Sequence, residues 1–416
     1  MAYLHFILKN ARFLGFGALL TFFGNFGQTY YIALFSAPIR AEFGLSHGDF
    51  GLLYAVATIA SAACLVWAGR KIDDVDLRVY VSAACTVYAL ACFLLSAAGG
   101  SAYMLVAALF LLRMTGQGLM GHSAMTSMAR YFTEQRGKAM SIAALGHPIG
   151  EAVLPSIAIM MLSAYGWRPT WQITGAIIAA ILIPGILLLL RGHGERHRRH
   201  TESLKNASRD AHAEQRQWTR ANVIRDPAFY CVLPCALAAP LILTGFFFHQ
   251  VHLAESKGWS LAWMASCFIG YAATTVIGSL VTGALVDRFG AIRILPWYLL
   301  PLGGGLGTLI LFEHAGAAMV YLVAAGATTG ASSVTLTATW AEIYGTAHIG
   351  AIRALVSACM VFSTALAPAI MGWGIDRGVS METIALVCVV YLGLCIALVI
   401  GALSRLKGRR TRIDAP

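Results

Sequence analysis

The feature that most constrains this chain is a series of long apolar runs. Each run is about 20 residues long, which is the length an α-helix needs to cross a hydrocarbon layer roughly 30 Å thick. Of the 416 residues, 58% are hydrophobic and only 12% are charged, whereas soluble proteins carry about 25% charged residues. The sequence therefore predicts an all-α integral membrane protein with twelve transmembrane helices. The runs begin near Phe13, Phe50, Val79, Ala102, Ala139, Trp171, Ala228, Leu261, Ile292, Ala317, Ile349 and Thr383.

The basic residues between these runs indicate how the chain is oriented. On alternate sides of the predicted helices, one set of loops holds nearly all of the 30 Lys and Arg residues. The other set holds only Arg40, Arg168, Lys257 and Arg377. By the positive-inside rule, we expect a multi-pass protein of the plasma (bacterial inner) membrane with both termini cytoplasmic and the first run retained as a span. Because the basic residues recur between apolar runs, the net charge of +11 does not indicate nucleic acid, and the lipid bilayer is the expected environment.

One long polar segment divides the chain into two halves of similar length. It is rich in Arg, His, Glu and Gln and is typical of a solvated linker. The predicted organisation is a cytoplasmic N-terminus at 1–12, a six-helix bundle at 13–191, a cytoplasmic linker at 192–225, a second six-helix bundle at 226–404 and a basic cytoplasmic tail at 405–416.

The two halves share landmarks at matching positions. Gly69 and Asp73, after the second run, recur as Gly283 and Asp287 after the eighth. A second matched set, in the fifth and eleventh runs, is separated by the same distance along the chain to within one residue: Gly137 with Pro155, and Gly350 with Pro368. This agreement favours an internal duplication, and paired halves with a site between them are typical of alternating-access transporters.

These motifs resemble the major facilitator superfamily. The loop from Gly283 through Asp287, Arg288 and Gly290 to Arg293 is similar to that family's signature loop. The first copy keeps the opening Gly69 and Asp73 but carries Asp76 where the second glycine belongs, and Arg113 followed by two glycines is similar to the fourth-helix motif. The resemblance implies two six-helix bundles that rock about a central site, with the two loops stabilising the outward-facing state. Asp76 would make the first loop the looser latch of the two.

Arg113 is the most informative polar residue inside an apolar run. It lies about 16 Å along its predicted helix, close to the bilayer centre, where a charge normally faces a partner or water. In the next run, His147 and Glu151 reach a comparable depth from the opposite end. We therefore expect Arg113 and Glu151 to meet in one polar site. There Glu151 could take a proton from one side and release it to the other. Arg113 could either bind an anionic substrate or release Glu151 for protonation when the substrate competes. A structural ion pair is the alternative interpretation.

Other polar side chains lie at helical spacing in the runs that line the cavity in the superfamily. For these residues, substrate contact and helix-to-helix hydrogen bonding are both open. His122 lies on the opposite face from Arg113, so we expect it to be a packed or interfacial residue. The further candidates for the substrate or proton pathway are Asn25, Gln28, Tyr31, Gln117, His249, Thr335 and Trp340.

The sequence thus favours a secondary transporter that moves a small solute by alternating access. We expect coupling to protons and consider an organic anion as substrate, while symport and antiport remain open. One alternative is a copper or soft-metal carrier that uses Cys231 and Cys235, since soft thiolates suit Cu(I). A second is a non-transporting membrane sensor or assembly factor. We expect the protein to be a monomer. We also expect no enzyme activity and no cofactor, because the sequence has no nucleophile–base pattern or phosphate loop.

Overall fold

The computed structural model describes residues 2–132, 135–192, 194, 220–345 and 349–413. Most of the predicted linker and the last three residues of the predicted tail lie outside these ranges, and the two predictions are not tested there. Within the described residues the chain is almost entirely helical.

Eleven helices are long and apolar enough to cross a membrane in the described part of the chain. They follow the predicted runs in order. We number the spans by the twelve predicted runs, so the shorter helix of the ninth run, described below, is the ninth span. Their bounds are His5–Ala33, His47–Arg70, Leu77–Ala97, Ala102–Tyr131, Arg136–Tyr165, Trp167–Leu189, Pro227–Phe248, Leu261–Phe289, Gly316–Tyr344, Ile352–Asp376 and Met381–Ala402.

The ninth predicted run forms a shorter and interrupted helix. A four-residue helix, Ala291–Ile294, is followed by a turn at 295–299, and the apolar helix then resumes as Leu300–Leu311. Pro296 lies in the turn and Pro301 in the first turn of the second helix. Proline lacks the amide N–H that a helix interior requires, so the break occurs where the sequence removes the donor.

The helices divide into two compact units. Unit 1 comprises Met1–Phe43 and Val56–Gln215, and unit 2 comprises Gly44–Ala55 and Arg216–Pro416. The helix His47–Arg70 therefore begins in unit 2 and ends in unit 1.

In unit 1 the first span packs against the fourth and the fifth, and the third packs against the sixth. The first span is interrupted: the α-helix Ala2–Phe23 passes into a single 3-10 turn, Gly24–Gly27, before the short helix Thr29–Ala33. The fourth span carries a π-helical stretch, Arg113–Met120, between Ala102–Leu112 and Gly121–Tyr131. Interruptions of this kind are frequent at functional sites.

In unit 2 the longest helix-to-helix contact joins the eighth and tenth spans. Small residues allow their backbones to approach closely. A Cβ atom on Gly326 would collide with the carbonyl oxygen of Tyr271, and one on Gly330 would collide with that of Thr275. The seventh span packs against the eleventh and twelfth.

Candidate functional site

The site in unit 1 is built around the break in the first span. Gln28 has extended backbone angles, φ −80° and ψ 151°, and the helix restarts at Thr29. The backbone carbonyls released at such a break must find other donors, because unsatisfied polar groups are costly away from water. Gly27 is buried and touches the fourth span: a Cβ atom there would lie 2.5 Å from the carbonyl oxygen of Leu112 and 2.8 Å from the nitrogen of Gln117.

Asn25 ties the break to the fifth span. Its side-chain Nδ2 lies 2.9 Å from the carbonyl oxygen of Phe22, 3.2 Å from that of Thr21 and 3.2 Å from that of His147. The hydroxyl of Tyr30 donates to Asn25 Oδ1 at 2.9 Å. The buried amide is thus engaged at both ends, and its contacts are those of a residue that positions the backbone.

Arg113 lies at the start of the π-helical stretch and reaches the same break. Its guanidinium NH1 donates to the carbonyl oxygen of Gly27 at 3.2 Å and to Thr29 Oγ1 at 3.3 Å. Only 3% of the residue is exposed. A buried cation therefore holds a released carbonyl, as the helix break requires.

His147 and Glu151 contact each other on the fifth span and form an ion pair when the imidazole is protonated. His147 Nε2 lies 3.3 Å from Glu151 Oε1, and the side chains are 42% and 7% exposed. An imidazole is the side chain whose charge changes most readily near neutral pH. The pair therefore places a titratable ring between a buried carboxyl and the accessible surface of the unit.

The structure brings the predicted residues together in a different pairing from the one the sequence suggested. Glu151 pairs with His147 rather than with Arg113, and NH1 of Arg113 donates to two oxygens of the first span. Both residues belong to elements that pack against the turn Gly24–Gly27. Arg113 and Glu151 are linked through this turn and Asn25.

The remaining predicted residues of unit 1 differ in their surroundings. Tyr31 is buried and packs edge-on against Trp171, with ring centroids 5.7 Å apart. Gln28 is half-buried and its carbonyl oxygen accepts from the amides of Tyr31 and Ile32. Gln117 is exposed.

Unit 2 separates its predicted residues. Thr335 is fully buried, and its hydroxyl has no hydrogen-bond partner among the described residues. Trp340 is buried against Phe229 and stacks on Tyr344, with centroids 5.6 and 6.1 Å away, which indicates a packing role. His249 is buried, and its Nε2 lies 2.8 Å from the carbonyl oxygen of Pro368.

The two cysteines of the soft-metal alternative have unlike environments. Cys231 is half-buried, whereas Cys235 is buried with its Sγ 3.9 Å from the carbonyl oxygen of Leu295 and 4.0 Å from the hydroxyl of Tyr298. No group of three or more His, Cys, Asp or Glu side chains among the described residues is placed to hold a metal ion. The soft-metal alternative therefore gains no support from geometry.

The first signature loop is held by a residue that the sequence analysis missed. Arg130, near the end of the fourth span, is ion-paired with Asp73, and its NH1 donates to the carbonyl oxygen of Ile72 at 3.1 Å. His122 Nε2 lies 3.0 Å from the carbonyl oxygen of Gly69, so this histidine meets the loop. Asp76 accepts from the amide of Arg78 at 2.8 Å and is the N-cap of the third span.

The second signature loop uses another carboxylate. Glu342, near the end of the tenth span, accepts from the amides of Ala291 and Ile292 at 2.8 and 3.3 Å. Gly290 has φ +82°, a conformation that favours glycine. The guanidinium of Arg288 lies over the ring of Phe289, 5.2 Å from its centroid. The other predicted residues of this loop are also at least partly exposed: Gly283, Asp287 and Arg293.

The fold defines the class of the protein as a polytopic helical membrane protein. The sequence matches the family profile described as Major Facilitator Superfamily over residues 15–270 and 243–414. The chain belongs to the major facilitator superfamily. A comparison with curated protein sequences finds no match.

Solved structures of transporters share the fold. A bacterial homologue of the human lysosomal transporter Spinster, described as inward-facing and unoccupied, aligns with a TM-score of 0.67 at 16% identity, over 96% of this chain and 98% of that one. A point mutant of the nucleoside transporter NupG aligns with a TM-score of 0.71 at 12% identity, over 95% of this chain and 99% of that one. At these identities the likeness concerns the fold alone.

Proposed function

We propose that this protein is a proton-coupled secondary transporter of a small organic anion in the bacterial inner membrane, with both termini cytoplasmic. The observation that carries the proposal is the polar site of unit 1, where a buried guanidinium and an imidazole–carboxyl pair pack against one helix break. Such groups are costly inside a membrane protein and are typical of substrate and proton pathways. No chemical conversion of the solute is part of the proposal.

Arg113 supplies the preference for an anion. Its guanidinium already donates to neutral oxygens, the carbonyl of Gly27 and the hydroxyl of Thr29. A carboxylate makes shorter and stronger hydrogen bonds with a guanidinium than neutral oxygens do. An anionic solute could therefore displace one of these contacts, and the helix break would respond because Gly27 is part of it.

His147 and Glu151 supply the proton step. Glu151 is buried, whereas the His147 side chain is partly exposed. When the imidazolium passes its proton to the carboxylate and the ring then takes up another proton, the pair becomes an imidazolium beside a neutral carboxyl. The fifth span thereby gains one positive charge beside Asn25. This links protonation to the first span through the same turn that Arg113 holds.

Purified protein in liposomes tests the two roles separately. We expect Glu151→Gln to abolish substrate-driven proton flux while counterflow, which needs no net proton movement, persists. Glu42→Gln is the matched control, because Glu42 is also ion-paired but with Arg168 at an exposed position. Wild-type proton flux in Glu151→Gln would contradict the proton role.

The substrate class is tested with a panel of carboxylates, neutral nucleosides, amino acids and Cu(I). A bound ligand raises the melting temperature of the state it binds. We expect carboxylates to stabilise the wild type and Arg113→Lys to lose most of that shift, because lysine keeps the charge but not the planar fork. Stabilisation by Cu(I) alone, abolished by Cys235→Ser, would favour the soft-metal alternative.

A further inference from the structure

Three histidines of unit 2 lie together at one end of its helices. The ring of His47, at the start of the second span, is 4.6 Å from that of His252 and 5.7 Å from that of His249, measured between centroids. His249 ends the seventh span, and His252 lies in the following helix, Gln250–Ser256. By the positive-inside rule this end faces away from the cytoplasm.

The backbone at the start of the second span, which carries His47, packs against the eleventh span. Asp376 accepts from the amides of His47 and Gly48 at 3.0 and 2.8 Å, so its carboxylate caps the second span. Contact is close, since a Cβ atom on Gly48 would overlap the ring of Trp373 and one on Gly51 would lie 2.6 Å from the carbonyl oxygen of Pro368. His249 binds that same carbonyl group of Pro368.

Further along the second and seventh spans, aromatic side chains pack against one another. Phe248 stacks on Phe50, with centroids 5.2 Å apart, and contacts Tyr54 at 4.8 Å. All of these residues lie in unit 2, although the rest of the second span, from Val56, belongs to unit 1. A change that strengthens or weakens the packing of the segment Gly44–Ala55 therefore acts on a helix whose residues belong to both units.

The charged and titratable groups around the rings determine how the segment responds to protons. The second span contributes His47 and Asp49, and the carboxylate of Asp49 accepts from Ser46 Oγ at 2.9 Å. The seventh span and the helix after it contribute His249, His252 and the exposed Glu255. The eleventh span contributes Asp376 and, at the turn, Arg377, whose NH1 donates to the carbonyl oxygen of Trp373.

Asp376 can compensate one imidazolium, because it lies directly at the start of the helix that carries His47. A second positive ring would face the first across a few ångströms of protein, where like charges repel more strongly than in water. Unperturbed imidazoles take up protons near pH 6.5, whereas aspartate remains ionised well below that value. Mild acidification therefore changes the rings first and leaves the cap intact.

We propose that His47, His249 and His252 form a proton-operated latch that holds the segment Gly44–Ala55 on the seventh and eleventh spans when the rings are neutral and releases it when more than one ring is protonated. The latch responds to the pH outside the cytoplasm. It is separate from the His147–Glu151 pair, which lies in unit 1.

Hydrogen exchange of the full-length protein in nanodiscs tests the latch. Exchange is followed by mass spectrometry at pH 7.5 and 5.5 and corrected for the intrinsic effect of pH on each amide. We expect peptides from the segment Gly44–Ala55 to lose protection at least tenfold at pH 5.5, because two pH units change the ratio of protonated to neutral imidazole about a hundredfold. Equal protection at the two pH values in the wild type would overturn the proposal.

Variants identify the groups responsible. The triple change His47→Gln, His249→Gln and His252→Gln removes all three titrations and should make protection independent of pH. His252→Gln alone, at a half-buried position, should reduce the response at least threefold and serves if the triple variant fails to fold. A response that persists unchanged in His252→Gln and in the triple variant contradicts the latch.

Two controls separate this proposal from others. His314→Gln changes an exposed histidine of unit 2 whose Nδ1 accepts from the amide of Gly316, and it should keep the full wild-type response. Glu151→Gln should also keep the full response, because the latch does not use the proton site of unit 1. Loss of the response in His314→Gln would show that the pH effect arises outside the latch.

Discussion

Glu342 Oε1 lies 2.8 Å from the backbone nitrogen of Ala291. The carboxylate of the tenth span thereby caps the helix that follows Gly290, where amide N–H groups have no helical partner. At the corresponding loop of unit 1 the charge is reversed, since Arg130 donates to the carbonyl oxygen of Ile72 and pairs with Asp73. The two loops are thus secured by opposite charges, although their sequences are variants of one motif.

The cap made by Glu342 can be measured directly. We expect Glu342→Gln to lower the stability of unit 2 by about 1 kcal/mol, because the amide oxygen that remains is a weaker acceptor than the carboxylate. Thermal unfolding in detergent would show this change. Glu313→Gln, at an exposed position of the same unit, should be neutral. A Glu342→Gln variant as stable as the wild type would show that the cap carries no energy.

The helix break in the first span depends on the absence of a side chain at Gly27. A Cβ atom there would lie 2.5 Å from the carbonyl oxygen of Leu112. We expect Gly27→Ala to destabilise unit 1 by roughly 1–3 kcal/mol, as overpacking does elsewhere, and to lower transport. Gly121→Ala, where no atom lies within 4 Å of the added Cβ, should be tolerated. Equal melting temperatures for the two variants would argue against close packing at the break.

Asp76 departs from the superfamily loop for a local reason: it is the N-cap of the third span. We expect Asp76→Ala to cost about 0.5–2 kcal/mol and Asp76→Gly, which restores the family residue, to cost only a few tenths. Asp76→Asn should be close to the wild type. Chemical denaturation of the three variants would establish the order, and a Gly variant less stable than the Ala variant would contradict the capping role.

Glu42 predicts a dependence of stability on pH. Its hydrogen bond to the Arg168 guanidinium lowers the pKa of the Glu42 carboxyl from its usual value. A depressed pKa contributes stability above the pKa of the unfolded chain, and this contribution is lost as the pH falls through the folded pKa. The side chains of Arg168 and Glu42 are 28% and 38% exposed, so solvent screening limits the contribution of the pair to at most about 1 kcal/mol. At pH 7 we expect the melting temperature of Glu42→Gln to lie slightly below that of the wild type. The two melting temperatures should become equal at a pH low enough to protonate the Glu42 carboxyl in both the folded and the unfolded chain. A gap that widens in acid would contradict this.

Several features of the fold follow from composition and periodicity. The apolar runs predicted the spans, because a segment of that length has no other stable place for its side chains. The ninth run was also found, but its prolines at 296 and 301 shorten the helix. These prolines are the sequence signal for the interrupted helix, which the length of the apolar run does not reveal.

The candidate site was predicted less completely. Arg113, His147 and Glu151 stand out in apolar runs, and all three pack near the same turn. Their partners did not stand out: Gly27 offers a backbone carbonyl, and Thr29 and Tyr30 resemble ordinary residues of an apolar helix. Glycines at 24 and 27 are the one sequence signal for the break. Likewise, Arg130 looked like a basic residue of a cytoplasmic loop until its contacts with Asp73 and Ile72 were known.

The sequence by itself determined that the chain has many membrane-spanning segments, that its halves share landmarks at matching positions and that it resembles the major facilitator superfamily. The first conclusion rests on the cost of placing polar groups in lipid, which acts on each segment separately, and the other two rest on the spacing of motifs along the chain. The tertiary structure decided which polar groups meet. Arg113 holds the carbonyl of Gly27, Glu151 pairs with His147, and three histidines gather at His47, because hydrogen bonds and packing join residues that are distant along the chain.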